Sequence, residues 1–378
     1  MKVSYINLGA QTDVIRDELL EATQKVILSG MYILGDQVQL FESNFSKLCN
    51  TKYAVGVSNG TDALILAMKS LGIGKGDEVI TAPNSFLAST SSIVITGAKP
   101  VFIDVGYDYN LDPTKLKSTI TNKTKAILPV HLTGHPAEMD HILSIAEDHN
   151  LYIIEDCAQA IGAEYRGKRV GSIGDIGCFS LHPLKNLNAC GDGGVITTNR
   201  KDIYDWLIMA RNHGLKNRDQ CEFWAYNNRL DEIQAAVCNV KLKYLNDWTK
   251  RRRQIADKYK EGLEGYVITP GYSMYGNTGN SHSLCKESKS VYHTFIVQAE
   301  KRDELHEYLL DVGIDTKIHY AIPVHLQKAA ESLGYKKGSF PVVEELCSKI
   351  LSLPIYPELS DEQVNYVIES IQNFYEKN

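Results

Sequence analysis

The sequence contains no long apolar run, no block of basic residues beyond one short cluster, no paired-cysteine motif, no low-complexity tract and no internal repeat. Nothing approaches the roughly 18 uninterrupted apolar residues that a membrane span requires. The opening MKVSYINLGAQTDVIRDELL has no apolar core of signal-peptide length, so a cytoplasmic location is expected. The eight cysteines, at 49, 157, 178, 190, 221, 238, 285 and 347, never form CxxC. That excludes a zinc ribbon and a thioredoxin-type motif, and scattered cysteines in a large chain are mostly small buried hydrophobes. A metal-free protein is therefore expected. Lys plus Arg is 40 against 46 Asp plus Glu, a net charge of −6, which argues against a nucleic-acid or anionic-membrane surface. With 378 residues, at about 150 per domain, two to three domains are expected.

What is present is a regular alternation. YAVGV (53–57), EVITA (78–82), KPVFIDV (99–105), KAILPV (125–130) and LYIIED (151–156) read as strands, and TDALILAMKSLG (61–72) and 136–150 as helices between them. Strands alternating with helices predict βαβ units, a mostly parallel sheet and helices on both faces. DIGCFSLH (175–182) and GGVITTN (193–199) read as two further strands, hairpin-like at the sheet edge. Residues 230–265 keep a three-to-four apolar spacing and predict one long helix joining a large domain, 1–245, to a smaller α+β domain, 246–378. The basic run 250–253 on that helix reads as a solvated face. The Gly/Ser/Asn-rich stretch 269–290 reads as a loop.

Three junctions carry chemistry. In VSNGTDAL (57–64) a strand runs into a helix start, where free backbone N–H groups, the helix dipole, Gly60 and the Thr61 hydroxyl suit an anion; a plain N-cap is the bland alternative. In LYIIEDCAQAIGA (151–163) Asp156 stands at the carboxyl end of a buried strand, where open parallel sheets bind ligands, with Gln159 three residues on. A helix N-cap is again the alternative for Asp156, but a buried carboxylate needs a partner, and a protonated heterocyclic nitrogen is a suitable one. In CFSLHPLKNLNACGDGG (178–194), Ser180 leads to Lys185 ahead of a glycine-rich turn. A loop lysine is usually a solvated charge, whereas a desolvated one can form an imine with an aldehyde. A phosphate cup, an acceptor carboxylate and such a lysine together suggest pyridoxal 5′-phosphate.

The order SNGTDAL, EDCAQAIGA, FSLHPLKNLNACGDGG, YNNRLDEIQAA resembles the nucleotide-sugar aminotransferases of the DegT/DnrJ/EryC1/StrS family, from SGMYILGD (29–36) to LSLPIYPELSDEQV (351–364). The resemblance implies the type I (aspartate aminotransferase-like) fold, pyridoxal 5′-phosphate with pyridoxamine 5′-phosphate as its alternate form, and a homodimer with shared sites. It implies that Lys185 holds the cofactor and shuttles the proton, that Asp156 keeps the ring nitrogen protonated and that Gln159 meets the ring hydroxyl. Gly60, Thr61 and Ser180 would bind the phosphate, Phe86 would stack on the ring, and Asn228 would reach the neighbouring subunit's phosphate. Tyr32, His319 and His325 match regions near the substrate. His131 could lie near the cofactor or in the core.

The activity so implied is transfer of an amino group from L-glutamate to a nucleotide-linked keto-sugar in deoxyaminosugar biosynthesis. A dehydratase of the same fold carries histidine in place of the lysine, which Lys185 opposes; a non-catalytic regulatory relative is opposed by Lys185, Asp156 and Gln159 together. The turn Gly191-Asp192-Gly193-Gly194 resembles enzymes acting at C3 of dTDP-3-keto-6-deoxyhexoses, whereas relatives acting at C4 more often carry Glu at the second position.

Overall fold

The computed structural model describes residues 1–270 and 287–377. The strands are β1 (Tyr53–Val57), β2 (Glu78–Thr81), β3 (Lys99–Phe102), β4 (Thr124–Ile127), β5 (Tyr152–Asp156), β6 (Glu164–Tyr165), β7 (Lys168–Arg169), β8 (Ile176–Ser180), β9 (Gly194–Thr198), β10 (Phe295–Gln298) and β11 (Ile350–Leu353). Seven of them form one sheet in the order β1-β9-β8-β5-β4-β2-β3. All neighbours pair in parallel except β9, which runs antiparallel to both β8 and β1. The carboxyl ends of β1, β8, β5, β4 and β2 therefore open on one edge of the sheet, where an open α/β fold binds its ligands.

Helices cover both faces of this sheet. Gly60–Ser70 buries Ala63 through Met68 almost all round, as a helix enclosed on several sides must, whereas Met139–His149 buries only the stripe Met139, Ile142, Ile145 and Ala146. A second apolar cluster lies around the β10–β11 pair and gathers Tyr259, Phe295, Leu309, Leu351, Val367 and Phe374. Val3 joins it from the start of the chain through a parallel bridge to Ile314. Phe340, Val343 and Leu346, late in the sequence, instead pack on the core of the large sheet.

The predicted single helix over 230–265 is two, Glu232–Leu242 and Leu245–Gly262. No Gly or Pro marks the break, so the apolar spacing runs through it unaltered; at the junction Lys243 and Tyr244 both turn to Glu18 of the helix Arg16–Ser29. The basic run is only partly solvated. Arg252 is buried and donates to the carbonyls of Tyr292 and Ile355, at 3.1 and 2.7 Å, and Arg253 donates to that of Ser290. Of the stretch read as a loop, residues 271–286 lie outside the described residues.

Candidate active site

Five strand ends supply the side chains. After β1, Asn59 caps the helix Gly60–Ser70 by accepting from Asp62 N–H, at 2.9 Å. The amides of Gly60 and Thr61, in the first turn, have no intrahelical acceptor. A Cβ on Gly60 would stand 2.8 Å from Ser180 Cβ, so only glycine lets the end of β8 lie against this helix start. Ser180 Oγ accepts from His182 N–H at 3.3 Å, which leaves its own proton for another acceptor. Two free amides, a helix N-terminus and a hydroxyl donor thus face one another across a gap that a side chain would fill, and this arrangement fits a phosphate.

Lys185 follows β8 on a tight turn, its N–H bonded to His182 O at 2.8 Å and its carbonyl accepting from Asn188 Nδ2 at 2.9 Å. Desolvation pulls its pKa down to about 8, against the opposing attraction of Asp156. Asp156, at the end of β5, is 4 % exposed. Its Oδ1 accepts from Ala158 N–H at 3.1 Å and its Oδ2 from the Ser89 hydroxyl at 2.7 Å. An amine near neutrality facing a buried, fixed carboxylate beside an anion cup fits the aldehyde, the pyridine nitrogen and the phosphate of pyridoxal 5′-phosphate.

Gln159 Oε1 accepts from Thr133 N–H at 2.8 Å, and its amide meets the Tyr320 hydroxyl. Burial, then the nearby charge of Asp156, raise the Tyr320 phenol to about 12. Phe86 is 57 % exposed, with its ring centroid 6.0 Å from that of Tyr320, so it lines open space rather than packing at a helix start. His319 accompanies Tyr320; its Nδ1 lies 2.9 Å from Ser352 Oγ, and burial followed by the Lys185 charge lowers it to about 4. The same two causes, in the same order, hold His293 well below the usual histidine range, with its Nδ1 3.3 Å from Asn186 Oδ1. Ser89, Tyr320 and Asn186 stand within three residues of Phe86, His319 and Lys185 in the chain, whereas no nearby motif points to His293.

Other expected residues lie apart. The side chain of His325 is fully buried, with Nε2 2.9 Å from Glu344 Oε1 and its ring edge-on to Phe340, so it braces the helix Pro341–Lys349. The half-exposed Tyr32 hydroxyl donates to Ile27 O, and the Tyr32 carbonyl accepts from Glu232 N–H. Asn228, 9 % exposed, donates its N–H to Arg211 O. Tyr32 and Asn228 thus flank one surface, since Ile33 bridges Asp231 and the Glu232 carboxylate receives the amides of Gly35, Gln37 and Val38.

His131 belongs to the framework. Its Nδ1 accepts from Ala137 N–H, so Nε2 carries the proton donated to Glu155 at 3.0 Å. Glu155 also receives the amides of Gly171, Ile173 and Gly174, each at 2.8 Å. Among the described residues these two and Cys157 form the group spaced to ligate a metal, but the carboxylate and imidazole are already committed to protein donors and acceptors.

A model of the DegT/DnrJ/EryC1/StrS aminotransferase family matches residues 13–372. The chain is 41 % identical over 380 residues to a pleiotropic regulatory protein of Geobacillus stearothermophilus, covering 99 % of each. It is 40 % identical over 377 residues to the dTDP-3-amino-3,4,6-trideoxy-alpha-D-glucose transaminase of Streptomyces venezuelae, covering 100 % of this chain and 97 % of the relative. The crystal structure of S. venezuelae DesV in complex with a ketimine intermediate superimposes with a TM-score of 0.94 at 40 % identity, covering 99 % of both chains.

Proposed function

The chain belongs to the DegT/DnrJ/EryC1/StrS aminotransferase family, and on that premise we propose its substrate and the division of labour among its residues. It is a pyridoxal 5′-phosphate-dependent transaminase acting on nucleotide-linked keto-sugars. The observation that carries the assignment of residues is the meeting of a lysine brought to about 8, a buried carboxylate and an anion cup at one sheet edge.

When bound, the cofactor supplies an aldehyde that carries the amino group and a pyridine ring that accepts the electron pair released at the substrate carbon. Lys185 would hold the aldehyde in the resting enzyme, and its Nζ, brought down to about 8 by burial, would serve as the base and acid that moves the proton at the reacting carbons. Asp156 holds the ring nitrogen in its protonated form. Gly60, Thr61 and Ser180 bind the phosphate, Phe86 covers one ring face, and Gln159 faces the ring hydroxyl from its clamp between Thr133 and Tyr320. His319, kept neutral beside Lys185, stands on the sugar side.

The working form is a homodimer. Leu28, Met31, Tyr32 and Ile33 are exposed by 40 to 77 %, and Trp224 by 95 %. Apolar patches of this kind mark protein interfaces. They lie along the surface that carries Asn228, which in the dimer reaches the partner's cofactor phosphate, with Tyr32 beside the shared cleft.

Glutamate gives up its amino group in the first half-reaction and C3 of a dTDP-3-keto-6-deoxyhexose collects it in the second. Two features support C3: the S. venezuelae relative is named for a 3-amino sugar, and Asp192 stands in the turn after Lys185. The test is incubation with glutamate and, separately, the 3-keto and 4-keto forms of a dTDP-6-deoxyhexose, with UDP- and GDP-linked 4-keto-sugars alongside, scored by product mass and NMR. Amination confined to the 4-keto compounds overturns C3 and leaves the transaminase standing.

A further inference from the structure

We propose that Ser89 is a positioning residue that anchors the Asp156 carboxylate, and through it holds the proton on the cofactor's ring nitrogen. The inference rests on the pairing of Asp156 with that nitrogen. Ser89 stands in the first turn of the helix Leu87–Thr96, is 1 % exposed, and donates to Asp156 Oδ2 at 2.7 Å across 67 residues of sequence.

Hydroxyls inside helices ordinarily bond back to a carbonyl three or four residues earlier. Ser91, Ser92 and Thr96 of the same helix do so, to Ala88, Ser89 and Ile93. Ser89 turns away from its helix and spends its proton on the carboxylate.

The surroundings give that bond its weight. Asp156 sits next to Cys157 and Cys178, both buried thiols raised well above their usual range first by desolvation, with the charge of Asp156 adding to it. In such a setting a carboxylate is held by the donors that reach it, and the Ser89 hydroxyl is one of them. With Oδ1 on Ala158 N–H and Oδ2 on Ser89, both oxygens are anchored, each retains a lone pair, and the carboxylate plane cannot turn. Ser89 thereby keeps the carboxylate aimed, so that the proton stays on nitrogen and the ring keeps its electron-withdrawing form.

The holoenzyme, Ser89→Ala and Ser89→Thr are loaded with cofactor labelled with ¹⁵N in the ring, and the ring resonance and the cofactor dissociation constant are measured. Alanine suits the helix, so the fold is retained. In Ser89→Ala the resonance moves from the pyridinium position toward neutral pyridine, and cofactor binding weakens about tenfold to a hundredfold, the scale of one hydrogen bond to a charged group. Ser89→Thr, which keeps the hydroxyl, stays within about threefold of wild type in affinity and keeps the pyridinium resonance. An unmoved resonance in Ser89→Ala, or equal losses in both variants, overturns the proposal. A wild-type enzyme whose ring nitrogen is already neutral overturns the Asp156 pairing itself, a different failure that the same spectrum distinguishes.

Discussion

The substitution Asp156→Asn keeps the size of a side chain while removing its charge, at a position where the structure permits the exchange. Ala158 N–H can still donate to the amide oxygen, and the Ser89 hydroxyl can reverse and accept from the amide nitrogen, so the end of β5 need not move. What disappears is the attraction between a carboxylate and a pyridinium. At a separation near 4 Å and an effective dielectric of about 20, that attraction is about 4 kcal/mol. The 4 % exposure of Asp156 leaves little solvent to screen it. At about 1.4 kcal/mol per decade the first half-reaction slows by about three orders of magnitude. The assay is single-turnover bleaching of the bound cofactor's visible absorbance on mixing with glutamate. A second readout is the Lys185 amine in cofactor-free protein, which titrates below its present value of about 8 once the attraction of Asp156 is gone. A variant within tenfold of wild type, with Lys185 titrating as before, refutes the assignment of Asp156.

A mixture of Asn228→Ala and Lys185→Ala chains recovers activity after subunit exchange, because each hybrid has one site with neither lesion. Random exchange makes about half the dimers hybrid, so about a quarter of wild-type turnover returns. Exchange without recovery refutes the shared site. Stability in the cofactor-free protein falls between pH 6.5 and 5. Burial holds His135 and His319 at about 4 in the folded protein, so over this interval the unfolded chain binds more protons, and the stability present above 6.5 is lost as the pH drops. The loss is about 2 kcal/mol for each histidine by pH 5, read from urea unfolding. His135→Gln loses correspondingly less, and a flat profile from pH 7 to 5 refutes the reading.

Much of this was legible in the chain. β1 covers Tyr53–Val57 as its apolar run does, β5 ends at Asp156 as expected, and β8 stops at Ser180, two residues short of the expected 182. Lys185, Asp156 and Gly60 each stand at a strand-to-loop junction, where ordinary capping is a rival reading, and it was the order of the motifs that singled them out. The helix break at Lys243 was not legible: the apolar spacing runs through it, and the Glu18 that Lys243 and Tyr244 meet there lies more than two hundred residues earlier. The bracing role of His325 was hidden for a similar reason: only Glu344 and Phe340, later in the chain, reveal it.

The sequence by itself determined the order of the large sheet's strands along the chain and the family, since these follow from periodicity and from motifs a few residues long. The tertiary structure decided which groups meet. It brought Ser89 to Asp156, Tyr320 to Gln159 and Ser180 to Gly60, and it closed Glu155 with four donors from two loops. A hydrogen bond is satisfied at about 3 Å whatever the number of residues between its partners, and the pattern along the chain carries no measure of that distance.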